Sequence, residues 1–180
     1  MRAGRLLFVG VALALIGKVL AATPPPSGGT VSIQPRTADG DYDASLRTFA
    51  DATAEALASR GFTILDDPGH AAWEVDLTLS RVEVGTGLAK VPVDRASVSP
   101  AGGITVPLST GQSKLVPLVR TRLELRVHRR GEAGTVWDGA AVTVREAGSR
   151  KGDDHAVATD LSRALLRSYP AEPEAVVGVP

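Results

Sequence analysis

The chain has no cysteine, so it can form no disulfide, carry no thioether-linked lipid and run no thiol chemistry. Aromatic residues are scarce at 4%, so a core must be built mostly from Val, Leu and Ala. Only three histidines occur, His70, His128 and His155, and their spacing matches no zinc-binding signature. Neither sign of charge is in excess, with 20 basic and 20 acidic side chains, which removes the electrostatic case for nucleic acid. The signatures of common catalysts are also missing. There is no Gly-x-Ser-x-Gly elbow, no Gly-x-x-x-x-Gly-Lys-Ser/Thr loop and no Gly-x-Gly-x-x-Gly after a strand. No catalytic, cofactor-binding or metal-binding set is assigned, and the expectation is a protein that is not an enzyme and takes no cofactor.

What is present begins with a three-part N-terminus. Arg2 and Arg5 form a positive region, Leu6 to Ile16 an apolar one, and Val19-Leu20-Ala21 the small or aliphatic residues that suit signal peptidase. The apolar run is short of the ~20 residues that span a bilayer, so residues 1–21 are expected to be a signal peptide cut at Ala21 or Ala22. Export to the periplasm follows from that expectation. Removing residues 1–21 leaves 17 basic and 20 acidic side chains, a formal charge of −3. Leu20-Ala21-Ala22-Thr23 resembles the end of a bacterial lipoprotein signal, but Thr23 stands where the lipid-bearing cysteine would be. No lipid anchor of that kind can form.

Residues 22–29 read as a Pro/Gly linker. A single domain over 30–170 follows. Thr30 to Gln34 is a short strand candidate stopped by Pro35. Ala44 to Arg60 carries Leu46, Phe49, Ala50, Thr53 and Leu57 on one helical stripe, with Asp43 as N-cap and Gly61 as a left-handed terminator. Phe62 to Leu65 and the alternating Trp73, Val75, Leu77 and Leu79 give two more strands. The clearest pattern is Val119 to Val144. Val119, Thr121, Leu123, Leu125 and Val127 alternate with Arg120, Arg122, Glu124, Arg126 and His128. After the glycine-containing break at 129–134, Thr135 to Val144 completes an antiparallel hairpin. A second helix is expected from His155 to Arg167, capped by Asp153 or Asp154. Residues 171–180 read as a proline-bounded tail. Residues 85–117 mix glycine and proline with scattered aliphatics, a functional excursion or a hairpin-like loop. The order β-α-β-β-loop-β-β-α predicts an α+β fold with a four- to five-stranded mixed or antiparallel sheet and both helices on one face.

Four side chains stand out as a speculative binding set. Arg120, Arg122 and Arg126 share one strand face and can grip phosphate, lipopolysaccharide or an acidic peptide; the competing reading is a solvated face offset by Glu124 and opposing acids. Trp137 is either a buried structural ring or an exposed platform for a partner or glycan. Asp66, Asp67 and His70, and likewise Asp153, Asp154 and His155, combine acids with imidazole. Turn formation at Asp67-Pro68-Gly69 and helix capping at Asp153 and Asp154 account for them without a metal.

The hairpin Thr121 to Val127 with Gly134 to Ala141, the ending Asp160 to Pro170 and the segment Leu57 to Phe62 together resemble a family of small Gram-negative envelope proteins known only as a domain of unknown function. The resemblance spans nearly the whole mature chain, and its motifs are strand pairs, a helix end and a Trp-x-Gly turn. It implies an envelope protein, often lipid-anchored in the family and commonly with a glycine-rich middle segment; it brings no catalytic residue. The reading is an exported interaction or assembly accessory domain with an envelope protein or ligand as its partner. The alternative is a module for a small ligand, glycan or anionic lipid.

Overall fold

The computed structural model describes residues 24–39, 44–90, 97–98, 104–105, 113–171, 173 and 175–180. In chain order these form β1 (Gly29–Thr37), α1 (Leu46–Ala58), β2 (Phe62–Ile64), a 3-10 turn (Pro68–His70), β3 (Trp73–Lys90), β4 (Ser97–Val98), β5 (Ile104–Thr105), β6 (Ser113–Arg129), β7 (Thr135–Glu146), α2 (Asp154–Leu166) and β8 (Val177–Val179). Six strands make one mixed sheet in the order β2-β1-β3-β6-β7-β8, and β4 and β5 pair separately. β1 runs parallel to β2 and β3, β3-β6-β7 is an antiparallel meander, and β8 is parallel to β7.

The alternation in the sequence sets which face is covered. Val75, Leu77 and Leu79 of β3, Leu123, Leu125 and Val127 of β6, and Trp137 and Ala141 of β7 are buried. They meet Phe49, Thr53, Ala56 and Leu57 of α1 and Val157, Ala158, Leu161, Leu165 and Leu166 of α2. Both helices therefore lie on one side of the sheet, an α+β sandwich of two layers. Gly61, at φ +91°, ends α1 in the left-handed conformation. Asp153 caps α2 by accepting from the His155 N–H at 3.2 Å. The residue before α1 is Ser45, which makes no side-chain cap bond there; Asp43 lies outside the described residues.

Four differences from the sequence reading have physical causes. The sheet has six strands because Val177–Val179, three residues inside the expected tail, pairs with Ala141–Thr143. A three-residue strand is too short to show a period. β1 continues through Pro35 because β2 pairs only with Gly29–Val31, leaving the outer side of β1 an edge where a missing N–H costs nothing. The segment 85–117 begins and ends as strand, because β3 and β6 pair as far as Lys90 and Ser113 across a bulge between Glu83 and Gly85. Trp137-Asp138-Gly139 is no turn but lies within β7.

Part of the expected linker also belongs to the packed body. Pro26 is buried and its carbonyl accepts from the Tyr169 hydroxyl.

Candidate functional site

The uncovered face of the sheet carries the alternate residues of β3, β6 and β7. Strand register sorts them into rows. Toward the β6-β7 turn the rows are Glu74–His128 and Asp76–Arg126–Asp138, followed by Thr78–Glu124–Ala140. Toward the other end come Ser80–Arg122–Val142 and Val82–Arg120–Val144.

The first group is an acid-base lattice. His128 lies 3.1 Å from Glu74 and 3.8 Å from Asp76. Asp76 also pairs with Arg36 from β1, and Arg126 stands in register between Asp76 and Asp138. His128 and Arg36 pair with these carboxylates, while Arg126 is exposed and has Asp76 and Asp138 only as register neighbours.

The second group differs. Neither row contains a carboxylate. Arg122 donates from Nε to Glu124, its neighbour along β6, at 2.6 Å. Arg120 is exposed and makes no hydrogen bond or ion pair among the described residues. The two side chains leave one strand face two residues apart, roughly 7 Å along the backbone. Aliphatic side chains flank them: Val82 is 46% exposed, Val144 48% and Val176 43%. Together with Ser80 and Val142, Arg120, Arg122 and Val176 line a groove of about 410 Å³. A second depression of about 510 Å³ is lined by Val144, the register partner of Arg120, with Leu118, Arg145, Glu146, Ser149, Arg150 and Lys151.

Of the four speculative binding residues, Arg120 and Arg122 thus come together with an apolar margin, while Arg126 belongs to the acid-base lattice. Trp137 faces the helices. Its ring is fully buried, lies edge-on to Tyr169 at 5.1 Å between centroids and donates from Nε1 to the Ala171 carbonyl at 3.2 Å. In that position it offers no ring surface to a ligand. Its parity with Gly139 and Ala141 places it on the helix side, where those small residues make room. Ala21 and Ala22 lie outside the described residues.

The acid-histidine groups stay local. Asp67 accepts from the Gly69 N–H at 2.7 Å and sits 2.8 Å from the exposed His70 ring, an Asx turn. His155 is exposed at the first turn of α2. Among the described residues no three His, Asp or Glu side chains gather to hold a metal ion.

One more cavity, about 220 Å³, opens at the α2 end of the helix side, bordered by Arg81, Arg145 and Asp154. Arg81 pairs with Asp154 and stacks over the Phe49 ring at 5.5 Å. Arg145 donates to Thr143, Lys151, Asp160 and the Pro180 carbonyl. Both side chains tie β3 and β7 to α2 and the C-terminus, and the buried Arg81 Nε has no hydrogen-bond partner among the described residues.

Val142 and Val144 are on the strand parity opposite Trp137, which the sequence alone shows. Their proximity to Arg120 is set by the β6-β7 register, which alternation alone does not give.

These features define a class, a two-layer α+β domain in which the described residues leave one face of the sheet open. No family model and no curated protein matches the chain. Solved structures that are similar include the PelC dodecamer from Paraburkholderia phytofirmans, at 14% identity and a TM-score of 0.43, covering 81% of this chain and 91% of that one. A Xanthomonas campestris protein of the DUF330 family is similar at 12% identity and a TM-score of 0.37, covering 82% and 85%. A neuraminyllactose-binding hemagglutinin homologue from Helicobacter pylori aligns at 11% identity and a TM-score of 0.35, covering 70% and 68%. The functional reading below rests on this chain's own residues.

Proposed function

We propose that this chain is an exported envelope protein that works by contact rather than catalysis, an interaction or assembly accessory domain. The observation that carries the reading is the open face of the sheet. One side of the sheet is sealed by both helices, and the other presents Arg120 and Arg122 among exposed valines. Proteins seldom leave aliphatic side chains grouped on a surface without a use for them. Periplasmic placement rests on the N-terminal pattern of Arg2, Arg5 and Leu6 to Ala21.

A second reading, a module for a small ligand, glycan or anionic lipid, is favoured by the groove between Arg120, Arg122, Val142 and Val176.

The test is crosslinking of the tagged protein in fractionated envelopes, with mass spectrometry of its N-terminus. The expected outcome is a chain beginning near Ala22 that crosslinks reproducibly to one envelope component, and an Arg120→Glu variant that loses it. An uncleaved chain in the inner membrane, or hydrolysis by the purified protein across esterase, phosphatase and glycosidase substrates, overturns the reading.

A further inference from the structure

We propose that the Arg120/Arg122 end of the open face docks on an anionic phospholipid bilayer. Headgroup phosphates would sit between the two guanidiniums, with Val82, Val142, Val144 and Val176 against the acyl boundary. The inference rests on the binding reading above and deepens it by naming the partner.

Four observations lead there. Charge is sorted along a single strand: the row of Arg126 holds Asp76 and Asp138, whereas the rows of Arg120 and Arg122 hold no carboxylate and Arg122 meets only Glu124 of its own strand. A cation left without an acid on an otherwise balanced face is complementary to an outside anion. Guanidinium matches phosphate oxygens in pairs. Aliphatic side chains surround those cations, with Val82, Val144 and Val176 between 43% and 48% exposed. A soluble phosphate would leave them in water, and an amphiphile's boundary removes them from it.

The third observation separates lipid from saccharide. Phe49, Phe62, Trp137 and Tyr169 are buried on the helix side, and Trp73 shares that parity. No described aromatic ring stands on the open face as a stacking platform. The fourth is shape: the groove lies on an extended sheet face, and Val144, the register partner of Arg120, borders a further depression that bears Arg150 and Lys151. A row of cations along a shallow surface fits a sheet of headgroups better than one enclosed ligand. Glu146, which also lines that depression, shares it with Arg150 and Lys151, and Glu124 is the acid that Arg122 meets along β6.

The test is flotation of the chain, recovered after expression from its own N-terminus, with phosphatidylglycerol-containing and pure phosphatidylcholine vesicles. Any contribution of the N-terminal segment is shared by all variants, so the ratio of wild type to variant reads the patch alone. Each arginine near an anionic leaflet contributes about fivefold to partitioning. Arg120→Gln is expected to lower binding to the anionic vesicles about fivefold, and adding Arg122→Gln to lower it about 25-fold, on that same scale. Arg126→Gln, the same charge change on the same strand face, should alter it less than about twofold if the site is local. Val144→Ser, which changes no charge, should weaken binding as well, and circular dichroism checks that each variant is folded.

Equal losses from Arg120→Gln and Arg126→Gln would mean only diffuse attraction and would overturn the site. So would equal flotation with the two vesicle types, binding of inorganic phosphate or a dispersed anionic amphiphile in place of vesicles, or concentration-dependent self-association abolished by Val144→Ser. Failure here leaves a crosslinked envelope protein partner possible, and loss of that partner leaves vesicle flotation unaffected, so the two readings fail separately.

Discussion

Tyr169 closes the end of the sandwich where α2 stops. Its ring packs edge-on against Phe62 at 5.9 Å and Trp137 at 5.1 Å, and its hydroxyl donates to the Pro26 carbonyl. Burial disfavours the charged phenolate and pushes its pKa up to about 12. The unfolded chain releases the same proton near pH 10. A group whose folded pKa is raised contributes stability that is full below pH 10 and is lost as pH climbs through about 12. Tyr169→Phe removes both the hydrogen bond and the titration. It should cost roughly 1 kcal/mol at pH 8 and then lose stability more slowly than wild type above pH 10, by roughly 2–3 kcal/mol in total. Urea unfolding of both proteins between pH 8 and pH 12 measures this; parallel curves would show that the phenol does not titrate with folding. Nearby, Gly139 is needed for space rather than for its backbone angle. A Cβ there would stand 2.9 Å from Leu165 Cδ1 and 3.0 Å from the Trp137 ring, contacts too close to keep.

Between the elements, the two helices meet through an uncommon pair. Thr53 of α1 and Ser162 of α2 are both fully buried, with their hydroxyls 3.0 Å apart. Each satisfies the other, since a buried hydroxyl without a partner costs more than the bond contributes. Thr53→Val should therefore destabilise by about 1–3 kcal/mol by stranding Ser162, and Ser162→Ala by a similar amount. The double variant should lose clearly less than the sum of the two, as contacting partners do. Denaturant titration of the four proteins gives the coupling; strict additivity would show that the bond stabilises nothing. The helix itself was legible in the sequence, because Leu46, Phe49, Thr53 and Leu57 recur at three and four residues and Gly61 stops them. Thr53 could be counted in the stripe, but its need for Ser162, 109 residues away, is a tertiary fact. The same limit hid β8. Val177–Val179 becomes a strand only because β7 offers an edge, with Thr143 donating to the Val179 carbonyl at 2.8 Å.

At the scale of the molecule, the sequence told which side chains share a face but not which of them have acids in register. Arg120, Arg122 and Arg126 look equivalent as every second residue of one strand. Register against β3 and β7 separates them, giving Arg126 two acids and Arg120 two valines. The long reach of β3 and β6 was hidden for a related reason. Past Val82 and Arg120 the alternation fades into glycine, proline and aliphatics, because a strand that no described helix covers has no reason to keep one buried parity. There the pair becomes a two-stranded ribbon, with Leu88 69% and Leu115 65% exposed and set opposite each other. Two strands without a packed face are marginal on their own. The molecule should therefore unfold in two steps of very different free energy. Amides of the body, in β3 from Val75 to Leu79 and in β6 from Leu123 to Val127, should exchange only through global opening. Those of Thr86 to Ala89 and Lys114 to Val116 should exchange through local opening, at least about a hundredfold faster. Hydrogen exchange followed by mass spectrometry reads both regions in one experiment. Equal protection would mean that something in solution covers the ribbon, and a second measurement with anionic vesicles present would show whether the neighbouring Arg120 patch supplies that cover. Protection that rises only in Val82 and Arg120 on vesicle addition, with the ribbon still exchanging fast, would place the membrane contact on the sheet face and leave the ribbon free.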